Sequence, residues 1–427
     1  MKSAIEKIYF VFIICAVSGV FNRLFGGATP LDVGRSASLT TGGDSNRTLL
    51  ILNLLVLCST LLLAFSKLPS LLRMLTRMRL LLVLHIFALA STVWSVERLI
   101  SFRSGVYLFM YLVAAAYIAT RFEYEELVWM LGKTLTLLAL ASIPGQYLLP
   151  SVPTSSGQWT GVFQHKDGLG LAMVIGIVSL VLARKPWTLI RMSSIALCFA
   201  LLCLSRSLGP FLWLVTAVAS LAFLRSRGRA RPIMLIALLG PIVILPIAVP
   251  NFLAVVTGML GKDPTLTGRT EVWAIVIRMI LVHPLLGYGA GAFWSTEAQM
   301  VHVLVGNWSP HHAHNGYLDI CLNLGIVGLA LVLIILVDIF RRTRDPQSEA
   351  SHDAGEWLFT VAMVIMVLAV SEVTFLQVSI SWFVLLLAYI SHWRAVEMSA
   401  AEPDPDFWIA YDGLDSACLV SETTEAM

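Results

Sequence analysis

Charge is scarce in this chain. Asp, Glu, Lys and Arg supply 13% of its 427 residues, where a soluble domain carries about a quarter. With 58% hydrophobic residues and a mean hydropathy of +0.82, too little polar surface is left to cover a water-soluble globule. Soluble Rossmann, barrel and sandwich folds are excluded on that ground, and the same apolar content excludes a disordered chain. Cysteine is also sparse. There are six, none in a CxxC pair, so neither a disulfide framework nor a thiolate zinc site is indicated. Cys15, Cys58, Cys198, Cys203 and Cys321 lie in or beside apolar blocks, where a thiol behaves as a small apolar side chain. No P-loop is present and no GxGxxG precedes a helix, so no cradle for a nucleotide phosphate is expected.

Long apolar blocks are what the chain has in abundance. A membrane-crossing helix needs about 20 mostly apolar residues, and about twelve segments are candidates. They centre on 8–24, 48–66, 80–95, 104–120, 128–148, 168–183, 192–206, 209–224, 233–250, 316–340, 357–374 and 379–393. The loops between them alternate in basic content. One set comprises Lys2, Lys7, the run from Lys67 to Arg79, Arg121, Arg184 to Arg191, Arg225 to Arg231, Arg341 to Arg344, and Arg394, and holds 18 of the 29 Lys and Arg. The opposite set, which includes Arg98, Arg103, Lys166, Arg206 and Arg269, holds 10, and Lys133 falls inside a span. The positive-inside rule assigns the richer set, and with it both termini, to the cytoplasm. Lys2 and Lys7 precede an apolar run with no small-residue cleavage site, which predicts an uncleaved first span.

The expected fold class is therefore an all-α polytopic membrane protein, with a transmembrane domain over residues 1–398. The acidic tail at 399–427 reads as cytoplasmic and disordered. The longest loop, about residues 251–315, then faces outward. Within it Thr270–Val282 carries Trp273, Ile277 and Ile280 at helical spacing, the pattern of an amphipathic helix lying on the membrane surface.

Polar residues collect on that outer face. Six of the nine histidines belong to it: His165, His283, His302, His311, His312 and His314. The densest group is SPHHAHNGY, Ser309 to Tyr317, where the long loop returns to the membrane. An imidazole there is a candidate general base. Three close histidines also suggest a metal, but the spacing is not that of HExxH and the only nearby carboxylate in the sequence is Asp319. No metal or other cofactor is expected. A second polar run, Gln164-His165-Lys166-Asp167, closes the 150–167 loop; Lys166 and Asp167 also suit a simple interfacial boundary. Arg206 lies in Ser205-Arg206-Ser207 at a span end, where an arginine is costly unless paired or functional. Arg269 opens the amphipathic helix, and a helix N-terminus beside a guanidinium makes a ready anion site. A salt bridge to Glu271 or Asp263 is its structural alternative. His283, before Pro284 and a glycine-rich turn, reads as a helix-end partner. Glu372, late in a span, suits either orienting a partner or capping a helix. Two arginines and a histidine on one face of a membrane suit a pyrophosphate leaving group and a hydroxyl nucleophile.

Five motifs in this order resemble the O-antigen ligase and Wzy-type polysaccharide polymerase family, and look closest to its exopolysaccharide-production, ExoQ-like branch. They are GVFQHKDGLG (161–170), LSRSLGP (204–210), GRTEVW (268–273), HPLLGYGAGAFW (283–294) and HAHNGYLDICLNLGIVGL (312–329). The resemblance covers about residues 150–340 and implies a bacterial inner-membrane enzyme of the lipid-dependent, C-type glycosyltransferase architecture. Its members transfer a glycan from a polyprenyl (undecaprenyl) diphosphate carrier on the periplasmic side without metal. Carried over, His314 of the HN pair is the acceptor-activating base. Arg269 holds the pyrophosphate and Arg206 is a second phosphate contact. His165, Lys166, His312 and Asn315 are further substrate contacts. The chain departs from the pattern at Asp167, where Asn is common, at Asn323, where Glu is frequent, and in its extra His311.

The reading is a polymerase of lipid-linked repeats, making exopolysaccharide or O-antigen, with a chain-length regulator as a further partner. The alternatives are a ligase acting on lipid A-core or protein, and a flippase for lipid-linked glycans. A flippase path needs polar residues through several spans, whereas here charges within spans are few: Lys133, Glu372 and Asp338.

Overall fold

The computed structural model describes residues 4–25, 43–149, 157–226, 269–296, 312–344 and 348–401. Among these residues the regular structure is helical and no strand occurs. Five helices are long and apolar enough to cross a membrane: Arg98–Arg121, Tyr124–Leu148, Leu208–Arg225, Gly316–Arg342 and Glu349–Leu368. A sixth is added if Ile51–Phe65 and Leu68–Arg77, bent by 99° at a short break, count as one span. Pro69 in the first turn of the second piece fits that break, since a proline starts a helix more easily than it continues one. The expected segment at 233–250 lies outside the described residues, as do His302, His311, about half of the 251–315 loop and residues 402–427 of the tail. The other expected segments fall on helices. Some are shorter than a full span, and the first is interrupted at Gly19, which takes φ 75°.

The helices are held in a bundle by small residues and large buried rings. Ala114, Ala115, Ala116, Ala119 and Gly105 let the Arg98–Arg121 helix approach its neighbours, and Trp357, Phe383 and Tyr389 fill the space between others. This is the small-residue contact expected where lipid tails compete as apolar partners.

One end of the bundle carries a set of ion pairs. Arg121 is bonded to Glu6, and Arg394 donates to the carbonyls of Ala119 and Phe122, each at 2.8 Å. Arg77 pairs with Glu397, Arg184 with Glu349 and Asp353, Arg225 with Glu356 at 3.1 Å, and Arg342 with Asp338 at 2.7 Å. Tyr389 donates to the same Asp338 at 2.6 Å. All these cations belong to the loop set that the alternation of charge had grouped together. Their pairing also orients the helices. The C-terminal ends of Lys166–Leu182 and Leu208–Arg225 lie beside the N-terminal part of Glu349–Leu368. Their starts, Lys166 and Leu208, therefore lie at the other end, with Leu368.

Candidate active site

That other end is where the sequence-selected residues gather. Asn315 caps the Gly316–Arg342 helix, accepting from the backbone N–H groups of Tyr317 and Leu318 at 3.0 and 3.1 Å. Such a cap satisfies donors that the first helical turn otherwise leaves unbonded. Gly316 then donates to the Ala369 carbonyl at 2.7 Å. A Cβ there would meet Ala369, Glu372 and Thr374 at 3.2 Å, so a larger residue would push these neighbours back by a few tenths of an ångström. The contact brings the end of the Glu349–Leu368 helix against the histidine motif. His312, His314 and Glu372 consequently form one half-buried group, with one nitrogen or oxygen of each within 4.8 Å of the others.

The two imidazoles lie in contact, tilted by 52° with ring centroids 3.9 Å apart. The His314 backbone N–H donates to His312 Nδ1 at 3.2 Å, a bond that leaves the neutral His312 proton on Nε2. His314 has φ 49°, and Arg206 has φ 48°. These are two of the three non-glycine left-handed residues among those described, the third being Leu376. A left-handed non-glycine costs about 1–3 kcal/mol and persists only where its surroundings hold it, a pattern concentrated at functional sites.

Beneath the histidines lies a buried polar frame. The Asp319 carboxylate accepts from Trp294 Nε1 at 2.9 Å, from Asn323 Nδ2 at 2.9 Å and from the Ala313 N–H at 3.4 Å. Asn323 Oδ1 in turn accepts from the Gly291 N–H at 2.9 Å. Asp319 thus ties the histidine loop to the segment after the amphipathic helix. In the sequence Asp319 stands out only as the nearest carboxylate. Its position in the first turns of a helix, five residues after His314, was the available signal.

The Gly316–Arg342 helix is broken at Gly325, with φ 66° and ψ −169°. Around the break the His283–Trp294 motif lies alongside and completes the backbone bonding. Tyr288 and Gly289 donate to the carbonyls of Leu322 and Asn323, each at 2.9 Å, while Ile326 donates to Pro284 at 2.8 Å. Irregular backbone within a membrane protein needs such internal partners. His283 sits edge-on to Tyr288 at 4.6 Å, the helix-end packing role expected of it.

A helix is present at Arg269–Val282, where an amphipathic one was expected, but its inner face differs from the one the spacing suggested. Val272 and Val276 are fully buried, with Ile275, Met279 and Ile280 beside them, whereas Ile277 is exposed. The helix packs on the Gly316–Arg342 helix, so protein contact sets its rotation. Trp273 Nε1 donates to the Ala313 carbonyl at 2.9 Å. Arg269 opens this helix one turn before Trp273; its side chain lies outside the described residues.

The motifs at 161–170 and 204–210 also meet each other. The Ser207 hydroxyl donates to Asp167, and the Trp159 N–H donates to the Leu204 carbonyl at 3.1 Å. Gly157 lies so close to Arg206 that a Cβ would stand 2.6 Å from the guanidinium. His165 is exposed at the start of the Lys166–Leu182 helix, and Lys166 is half-buried beside it. The described contacts make two groups at the same end of the bundle: His312, His314 and Glu372 in one, Asp167, Ser207 and Arg206 in the other.

A polytopic helical membrane protein with a histidine loop on a broken helix is the class this fold and site define. Residues 193–333 match the family model described as O-antigen ligase, a span that includes four of the five motifs; the motif at 161–170 precedes it. The chain is 26% identical over 305 residues to the exopolysaccharide production protein ExoQ of Rhizobium meliloti, covering 65% of this chain and 70% of that protein. It is 30% identical over 94 residues to a protein of Rickettsia felis provisionally named a polysaccharide ligase, covering 21% of this chain and 23% of that one. These matches support an O-antigen ligase/ExoQ-like family for this chain, in agreement with the resemblance carried by the motifs.

Proposed function

We propose that the protein polymerises polyprenyl-diphosphate-linked oligosaccharide repeats at the periplasmic face of the bacterial inner membrane, with both termini in the cytoplasm. The observation that carries this reading is the His312, His314 and Glu372 group at the end of the bundle opposite the paired arginines. In the reaction a sugar hydroxyl of the acceptor attacks the anomeric carbon of the donor. The bond from that carbon to the diphosphate oxygen breaks, and the hydroxyl proton passes to His314. Glu372 orients the imidazole and stabilises the imidazolium that forms, as a carboxylate does for a catalytic histidine. Arg269 and Arg206 meet the negative charge that develops on the diphosphate. His165, Lys166, His312 and Asn315 complete the polar surface, Asn315 through the cap that fixes the loop. A base and an activated leaving group suffice for a single displacement, and no metal enters the reaction.

Mass spectrometry of lipid-linked glycans in a strain lacking the protein tests this. Single repeats accumulating on the carrier at the outer leaflet are expected. Long chains retained on the carrier would mean a ligase, the reading favoured by the description of the matching family model. Single repeats trapped on the inner leaflet would mean a flippase. Complementation with His314→Ala is expected to leave transfer slower by about 10²–10⁴-fold, the usual contribution of a general base, with the protein still in the membrane. Wild-type polymer from that variant would remove the mechanism.

A further inference from the structure

Two imidazoles and one carboxylate are the ligand set of many catalytic zinc sites. In the sequence the three close histidines argue only weakly for a metal, because their spacing is not that of HExxH and the only nearby carboxylate is Asp319. The fold supplies a third ligand from the other side of the site: Glu372, whose carboxylate lies within 4.8 Å of a nitrogen of each ring. We propose that His312, His314 and Glu372 bind one divalent transition-metal ion, zinc before others, and that the bound ion stops glycosyl transfer.

The donor set selects the ion. Imidazole nitrogen suits zinc, copper and nickel, whereas magnesium and calcium take oxygen ligands. Zinc bonds of 2.0–2.2 Å to nitrogen and oxygen place tetrahedral ligands roughly 3.4 Å apart, so closure needs an inward movement of about 1 Å. The three residues allow it. His312 and His314 precede the helix at Gly316, and Glu372 follows the helix that ends at Leu368, so no helical turn has to deform. Coordination through His312 Nε2 keeps the 3.2 Å bond from the His314 N–H to Nδ1, and coordination through Nδ1 costs only that bond, a neutral one far weaker than a metal–nitrogen bond. Rotation of the side chains about a fixed backbone leaves the Asn315 cap and the bond from the Ala313 N–H to Asp319 in place. Three protein ligands leave a fourth position for water.

The ion occupies the His314 lone pair that would receive the hydroxyl proton, and Glu372 turns from orienting an imidazole to binding the metal. Inhibition rests on the reading of His314 as the base; binding does not.

The test uses the full-length protein, stripped of metal in detergent and titrated with cobalt(II). One equivalent is expected to give the visible absorption of tetrahedral cobalt, displaced by zinc. Glu372→Gln and His312→Ala are each expected to weaken cobalt binding at least tenfold. X-ray absorption of the zinc-loaded wild type checks the ligands without a variant, and imidazole scattering with one or more oxygens is expected. No tetrahedral cobalt signal in the wild type, a sulfur ligand shell, or unchanged affinity in both variants would overturn the site. In glycan transfer, the wild type is expected to lose activity with zinc and regain it with chelator. Zinc-insensitive transfer by protein shown to hold the ion would overturn the inhibition. An active, metal-free His314→Ala would instead remove the base and leave the cobalt result standing.

Discussion

Arg206 and His314 hold left-handed backbone conformations that neither a β-branched nor a bulky residue would choose, and both had been selected from the sequence on chemical grounds alone. The coincidence has a testable energetic side. Arg206 is exposed apart from the contact of its guanidinium with Gly157, so its side chain adds little burial and its backbone carries the strain. Arg206→Gly is expected to raise the thermal midpoint in detergent, a gain of about 1 kcal/mol or less, while polymer formation falls. A lower midpoint would mean that the side chain stabilises the fold. Asp167 gives a second contrast. It accepts from the Ser207 hydroxyl, and an amide oxygen can do the same. Asp167→Asn is expected to keep polymer output near wild type, whereas Asp167→Ala, which leaves the hydroxyl without that acceptor, reduces it. Equal loss in both variants would show that the charge itself is needed.

Helices were legible where apolar runs were long, because a membrane span is written directly in composition. Rotation and breakage were not. The inner face of Arg269–Val282 is set by the helix it packs on, so Trp273, Ile277 and Ile280 looked like one stripe when Val272 and Val276 are the buried positions. Gly325 stands in an apolar stretch where a lone glycine is compatible with a continuous helix. Only the partner strand of backbone from 284 to 289 reveals the break. The role of Glu372 was not legible in the sequence because its place depends on Gly316 meeting Ala369, a contact between distant segments. The break makes Gly325→Ala severe: a Cβ would collide with the Leu285 carbonyl and the φ of 66° is retained by few other residues. A loss of at least about 2 kcal/mol is expected from thermal unfolding. Gly168→Ala is the matched control. Its nearest neighbour would be Phe163 at 3.9 Å, so it is expected to be neutral or to stabilise by up to about 1 kcal/mol. Trp273→Phe removes the donor and part of the ring; a loss of at least about 1 kcal/mol and weaker polymer output should follow if that bond seats the histidine loop.

For the whole molecule, the alternation of basic loops anticipated which residues the fold brings to one end, because each loop between antiparallel helices must return to the end from which the preceding one left. Which side of the membrane that end faces is open to direct measurement. In a background without native cysteines, His165→Cys is expected to react with an impermeant maleimide applied from the periplasm, and Arg344→Cys only after lysis. The reverse pattern would put the histidine loop in the cytoplasm and end the periplasmic reading.

The splice at Gly325 makes two stretches of sequence into one inheritable part. The loop from Pro284 to Gly291 and the helix from Gly316 to Val327 complete each other's backbone bonds, so neither has a finished form alone. Recombination between relatives should respect that boundary. A chimaera that imports only one of the two stretches from a distant homologue would join halves shaped for other partners, whereas importing both together carries the joint intact.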